Sequence, residues 1–331
     1  MTTLILLFFA YAVVIFIAGV ILSHSADQIA EITGFGRLLI GSILLAGATS
    51  LPELTVDVTA VQLGHTDLAA GDLMGSCLMN LLILAILDLT TYSRGKMLSR
   101  EAAAHALSAT LSIAMIAIVS LGILAKDKIP ALEFGGLVLP TWLVVMVYVF
   151  GVRVVFIDQR IAVAAAPTTS EQPVNVPFWV PIAKFAAATV ALILVGPRLA
   201  ETAGKLAEVS GLGNTFVGTT LVALTTSLPE LVSSLVAIRM KAFDLAIGNV
   251  FGSNAFNMLL FVVLDFMFPG SVYMNISQTH VITSLAVIIA TSAAVMGQLY
   301  RVERRSPFIE PDAWLVVLVS LAALGIVYKA G

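Results

Sequence analysis

A chain of 331 residues with 59% hydrophobic and only 11% charged side chains carries too little polar surface to be a water-soluble protein. Its single cysteine, Cys77, excludes an intrachain disulfide, and a net charge of −3 is uninformative where the placement of charge is not. The solvent that this composition fits is the lipid bilayer.

Crossing the hydrocarbon core takes roughly 20 apolar residues per helix. In chain order, such stretches run over 3–23, 36–62, 67–90, 101–124, 134–156, 177–198, 213–239, 243–269, 278–300 and 311–329. They predict an all-α membrane protein with about ten transmembrane helices. The first stretch is too long for the apolar core of a signal peptide. It also has no basic segment before it and no clear small-residue cleavage site after it, so it reads as a retained span. The segment "APTTSEQPVNVP", rich in Pro, Thr and Ser, reads as the one linker.

Charge placement predicts the topology. With the N-terminus outside, the cytoplasmic loops carry eleven Lys and Arg, namely Arg37, Arg94, Lys96, Arg100, Arg153, Arg160, Arg239, Lys241, Arg301, Arg304 and Arg305, and the outer loops and C-terminus carry five. Basic residues concentrate on the cytoplasmic side. Both termini are therefore expected outside, in a multi-pass protein of the cell (inner or plasma) membrane.

The sequence repeats itself. Shifting it by 177 residues aligns 41–89 with 218–266 without a gap, with 20 of 49 positions identical. The identities are not only apolar: they include Thr49 with Thr226, Ser50 with Ser227, Pro52 with Pro229, Glu53 with Glu230, Asp67 with Asp244, Ser76 with Ser253, Asn80 with Asn257 and Asp88 with Asp265. Each half holds about five spans, giving 1–156 and 177–331 on either side of a cytoplasmic linker at 157–176. An odd number of spans inverts the second copy, a construction many secondary transporters use.

Both copies contain "TSLPEL". A proline inside a helix removes a donor and clashes with the carbonyl four residues back, so Pro52 and Pro229 are expected to loosen the carbonyls near 46–48 and 223–225. Thr49 and Glu53 share a helix face, with Ser50 alongside. An ionised acid at the bilayer centre costs on the order of 3 kcal/mol, so two related glutamates imply function. Carboxylates, hydroxyls and carbonyls are oxygen ligands suited to hard cations such as Na⁺ and Ca²⁺. The four histidines form no cluster that would favour a transition metal.

The second arm of each copy, "DLAAGDLMGSCLMN" and "DLAIGNVFGSNAFN", adds Ser76, Asn80, Ser253 and Asn257, which read either as further neutral oxygens or as interhelical hydrogen bonds. Gly71, Gly75, Gly248 and Gly252, four apart, read as helix-packing positions. The copies differ at Asp57, where the second has Ser234, and at Asp72, where it has Asn249. Asp57 reads as an auxiliary acid near the cation path or as a polar residue facing the outer vestibule, and Asp72 as packing beside the site or capping a helix break.

These paired motifs resemble the calcium:cation antiporter superfamily, in its sodium/calcium exchanger branch, over nearly the whole chain. The resemblance implies two inverted five-helix repeats, with a midplane site between the second, third, seventh and eighth helices. Helices one and six would slide across that core to alternate access. By the same resemblance the ion ligands would be the carbonyls of Ala46 and Ala223, the hydroxyls of Thr49, Ser50, Thr226, Ser227, Ser76 and Ser253, and the carboxylates of Glu53 and Glu230, with Asn80 and Asn257 completing the ring. Asn257 stands where some prokaryotic and potassium-dependent relatives place an aspartate, which weakens any potassium site.

The expected activity is thus Ca²⁺/Na⁺ antiport without a cofactor, with Ca²⁺ and Na⁺ as substrates, the bilayer as environment and no protein or nucleic-acid partner. The alternative is Ca²⁺/H⁺ exchange on the same fold. A cation channel and an intramembrane hydrolase are the remaining rivals. For an aspartyl hydrolase the required Tyr-Asp and Gly-x-Gly-Asp pair is missing, as is Gly-x-Ser-x-Gly for a serine enzyme. The chain is not expected to be an enzyme.

Overall fold

A computed structural model describes residues 1–90, 103–126, 135–165, 177–209, 224–299 and 311–330. The described residues are almost wholly helical. The first half comprises α1 (Thr2–Thr33), α2 (Arg37–Leu39), a π-helical turn (Ile40–Leu45), α3 (Ala46–Thr49), α4 (Leu51–Gln62), α5 (Thr66–Thr90), α6 (Ala103–Leu124) and α7 (Leu139–Ala165). The second comprises α8 (Trp179–Val209), α9 (Leu228–Arg239), α10 (Phe243–Met267), α11 (Val272–Asn275), α12 (His280–Leu299) and α13 (Pro311–Ala330).

Seven of the described helices are long and apolar enough to cross a membrane, and the bent run 37–62 makes an eighth. The linker residues 166–176, residues 213–223 and the loops carrying Arg94, Lys96, Arg100, Arg301, Arg304 and Arg305 lie outside the described residues.

Several helices outrun the apolar stretches that predict them. Helix α1 continues ten residues past 23, through Asp27 and Glu31, and α7 continues to Ala165. A hydropathy pattern ends where polar side chains begin, but the backbone ladder does not have to. The end of α1 is instead set by Gly34, whose left-handed φ of 68° lets its N–H close on the Ala30 carbonyl. Arg37 then ties α2 back to α1 through Asp27 and Glu31.

Helices α5 and α10 form the centre and pack directly on each other. Around them stand α4, α6, α7, α9 and α12, while α1 and α8 pack along one another at one side. The exposed face of α1 is apolar, with Leu6, Phe9, Val13, Phe16 and Ile17 outward, as contact with hydrocarbon requires.

Glycine sets the closest approach. The π-helical turn lies backbone to backbone on α10: a Cβ at Gly41 would meet the Leu245 carbonyl oxygen at 2.6 Å, one at Gly248 the Leu38 carbonyl oxygen at 2.8 Å, and one at Gly252 the Ser42 Cα at 2.4 Å. No other residue fits these places without moving main chain.

Candidate ion-binding site

The two "TSLPEL" segments fold alike, and their proline does something other than kink a continuous helix. Pro52 and Pro229 are each the second residue of a new helix, α4 and α9, where a missing N–H leaves no bond unmade within that helix. The break falls two residues earlier, at Ser50 (φ −87°, ψ 1°) and Ser227 (φ −82°, ψ 4°). In the first half it bends the span by 43°. Because proline has no N–H, the carbonyls of Ala48 and Thr225 lose the donor that a continuous helix would supply. Helix restart is marked by Leu54 N–H on the Ser50 carbonyl (3.2 Å) and Leu231 N–H on the Ser227 carbonyl (3.0 Å).

Placed in the first turn of α4 and α9, Glu53 and Glu230 lie near the positive end of each helix dipole. Both are 1% exposed. The two segments that carry them meet at the centre, where the α3 end of the first packs on α9 of the second. Ser50 Oγ donates to Glu230 Oε1 at 3.4 Å.

The remaining residues expected at the site are also buried: Thr49, Ser50, Ser76, Asn80, Thr226, Ser227, Ser253, Asn257 and the backbone of Ala46 all lie in the interior. Thr49 Oγ1 is 3.2 Å from the Ala46 carbonyl, 3.4 Å from Asn249 Oδ1 and 3.5 Å from Ser253 Oγ. The Ala46 carbonyl, directly after the π-helical turn, also accepts the Ser50 N–H at 3.0 Å. Ala223 lies outside the described residues.

An approximate two-fold relation is visible in single contacts. Thr49 meets Asn249, and the residues 177 positions away, Thr226 and Asp72, meet at the same 3.4 Å. Cys77 and Asn254, also 177 apart, contact each other: Asn254 Nδ2 donates to the Cys77 carbonyl at 3.2 Å, and Cys77 Sγ lies 3.7 Å from the Asn254 carbonyl. A residue that touches its own counterpart lies on the axis relating the halves. Asn80 joins this centre by donating to Asn254 Oδ1 at 3.1 Å.

Among the described residues, fifteen buried side-chain polar atoms lack a hydrogen-bond partner, and ten of them belong to this one region. They are Glu53 Oε2, Glu230 Oε2, both Asp57 oxygens, Asp72 Oδ2, Ser76 Oγ, Asn80 Oδ1, Ser227 Oγ and both side-chain polar atoms of Asn257. Buried polar atoms are nearly always partnered, so a concentration of unpartnered oxygens marks a place where a ligand completes the bonding. Nine of the ten are oxygens, two of them on the paired glutamates, and such a set suits a hard cation.

Ser233 and Asn254 take part in this network without having been singled out from the sequence, and Asn249 and Ser234, marked there only as differences between the copies, take part as well. Asn249 Nδ2 donates to Ser233 Oγ (3.1 Å) and Ser234 Oγ (3.2 Å). Asn249 and Asn254 stand opposite Asp72 and Cys77 in the repeat, so a comparison by identity passes over them.

Residues 3–161 and 180–319 match the family model described as sodium/calcium exchanger protein. The protein named as antiporter CaxA in Alkalimonas amylolytica is 27% identical over 285 residues, covering 85% of this chain and 86% of that one. The sodium/calcium exchanger MaX1 of Methanosarcina acetivorans is 36% identical over 107 residues, 32% of this chain and 30% of its own. In fold, the chain is similar to a solved structure of the sodium-calcium exchanger NCX_Mj soaked with Na⁺ and Sr²⁺, with a TM-score of 0.70 at 18% identity over 99% of both chains. A paired, inverted helical architecture and a match spanning both halves lead to one conclusion: the chain belongs to the sodium/calcium exchanger protein family.

Proposed function

We propose that the protein is a secondary active antiporter that exchanges Ca²⁺ for Na⁺ by alternating access. The observation that carries this reading is the pair of buried glutamates, Glu53 and Glu230, each with one unpartnered oxygen and each at the start of a helix interrupted in mid-span. Two carboxylates balance one Ca²⁺, and loading with Na⁺ likewise brings them to near neutrality. Either load therefore lets a nearly neutral centre face each side of the membrane in turn.

In this reading the ligands are the Glu53 and Glu230 carboxylates, the hydroxyls of Thr49, Ser50, Thr226, Ser227, Ser76 and Ser253, the Asn80 and Asn257 amides, and the Ala46 and Ala223 carbonyls. Ion binding displaces the contacts these groups make among themselves, such as Ser50 with Glu230. Helices α1 and α8 supply the moving element. They pack chiefly on each other and meet the site helices at related glycines, with Gly19 against Val232 and Gly196 against Pro52. Flat, small contacts of this kind favour sliding over interlocking. The excess of basic residues in the loops assigned inside supports both termini outside and residence in the cell membrane.

The test is ⁴⁵Ca²⁺ uptake by proteoliposomes loaded with Na⁺. Uptake that depends on internal Na⁺ and disappears in Glu53→Gln and Glu230→Gln supports the reading. Uptake that persists in both variants rejects the site.

A further inference from the structure

One contact is repeated in the two halves with opposite chemistry. In the second half, Ser234 on α9 meets Asn249 on α10, and the amide nitrogen donates to the hydroxyl at 3.2 Å. At the same place in the first half, where α4 packs on α5, the residues set against each other are Asp57 and Asp72. Asp57 is fully buried and Asp72 is 9% exposed.

A donor and an acceptor have thus been replaced by two groups that, as carboxylates, only accept. Of their four oxygens, only Asp72 Oδ1 has a donor, the Thr226 hydroxyl at 3.4 Å, while both oxygens of Asp57 and Oδ2 of Asp72 have none. Among the described residues the ion pairs join Arg37 to Asp27 and Glu31, His105 to Asp244, Lys205 to Glu201 and His280 to Asp67, and none reaches this pair. Two adjacent buried carboxylates without a counter-charge are strongly unfavourable in their ionised form. The unpartnered Glu53 Oε2 belongs to the same cluster, since Glu53 lies one helical turn before Asp57.

We propose that Asp57 and Asp72, with the Thr226 hydroxyl, form a second hard-cation subsite beside the Glu53–Glu230 centre, present in the first half only. Oxygen-only ligation with two carboxylates fits Ca²⁺ or Na⁺ and disfavours soft metals. The inference rests on the antiport reading for its setting. Its consequence is that one chain holds one more cation than the symmetric centre alone would hold.

The experiment counts ions. Purified full-length protein in detergent is equilibrated with ⁴⁵Ca²⁺ in Na⁺-free buffer and, separately, with ²²Na⁺ in Ca²⁺-free buffer, and bound ions per chain are measured for wild type, Asp57→Ser/Asp72→Asn and Glu53→Gln/Glu230→Gln. The first variant copies the Ser234–Asn249 pair that the fold already accommodates, and an unchanged thermal melt in ion-free buffer checks its folding. The single variants Asp57→Asn and Asp72→Asn serve if the double variant does not fold. Loss of one bound ion per chain in either arm, with the remaining sites retained, supports the subsite. Unchanged counts in both arms overturn it, including the case in which the variant alters only proton release because the carboxyls share a proton. Failure of the principal site reads differently: Glu53→Gln/Glu230→Gln would then keep every bound ion, whatever the Asp57→Ser/Asp72→Asn variant does.

Discussion

Asn249 and Asp72 hold equivalent places in the two halves, yet they leave their neighbours in different states. Asn249 carries a donor and uses it on Ser233 and Ser234, at 3.1 and 3.2 Å, whereas Asp72 carries none and is set against a second carboxylate, Asp57. The second half is internally satisfied at this contact, and the first is satisfied only when something positive is added. The difference teaches that repeat symmetry in this fold fixes where side chains meet, not what they do there. Two principal glutamates can be related by symmetry while the ground around them is not.

The strongest way to break this comparison is to remove the part the halves share. Glu53→Gln and Glu230→Gln are each expected to lower Na⁺-driven Ca²⁺ flux by ~100-fold or more, since losing one charge of a buried cation site is worth about 3 kcal/mol. Initial rates of ⁴⁵Ca²⁺ uptake measure this. A variant that lost flux from one glutamate only would show that the pair is not functionally equivalent.

The next largest effect concerns packing around the site. Gly252→Val drives a side chain into the Ser42 backbone, which a Cβ alone would approach to 2.4 Å. The expected loss of stability is about 1–3 kcal/mol or more, read as a lower melting temperature in detergent. Gly19 and Gly196 sharpen the point because they are repeat partners with unlike neighbours. A Cβ at Gly196 meets the Pro52 ring at 2.5 Å, and one at Gly19 meets a Val232 methyl at 2.8 Å. Valine can turn and a proline ring cannot, so Gly196→Ala should slow transport more than Gly19→Ala, as initial uptake rates would reveal.

Making the halves alike tests the asymmetry from the other side. Asn249→Asp removes the amide donor that Ser233 and Ser234 share and puts a buried carboxylate without a counter-charge in its place, an expected cost of about 1–3 kcal/mol. Thermal melts with and without Ca²⁺ measure it, and Ca²⁺ is expected to restore part of the loss. The smallest effect belongs to the rim. His105 meets Asp244 at 2.8 Å and His280 meets Asp67 at 3.1 Å, with the aspartate side chains about half exposed. Asp67→Asn and Asp244→Asn should each change stability by less than about 1 kcal/mol.

Much of this was legible before any coordinates. Span positions followed from apolar length, because lipid leaves the backbone few alternatives to the helix. The duplicated polar residues marked the centre, since a carboxylate in hydrocarbon is too unfavourable to be incidental. Other features were not legible, for physical reasons that differ. Pro52 suggested a loosened helix interior, but a proline also starts a helix well, and only the fold puts the break at Ser50. The π-helical turn at Ile40–Leu45 carries no distinctive composition; its cause is the close seat of Gly41 on α10, a contact 204 residues away at Leu245. Asn254 and Cys77 sit on the symmetry axis but differ in identity, so the repeat that revealed Asn80 and Asn257 hid the residue that Asn80 binds.

The central claim is exchange of Ca²⁺ for Na⁺ at the paired glutamates, and one comparison tests it most directly. Proteoliposomes containing the purified protein are given, in turn, an outward Na⁺ gradient at uniform pH and a pH gradient in Na⁺-free buffer, each with the membrane potential clamped, and ⁴⁵Ca²⁺ entry is followed. The account predicts saturable Ca²⁺ entry with the Na⁺ gradient, none with the pH gradient, and none with either in Glu53→Gln/Glu230→Gln. Ca²⁺ entry driven by the pH gradient alone would contradict Na⁺ as the counter-ion, and entry that needs no trans cation would contradict exchange altogether.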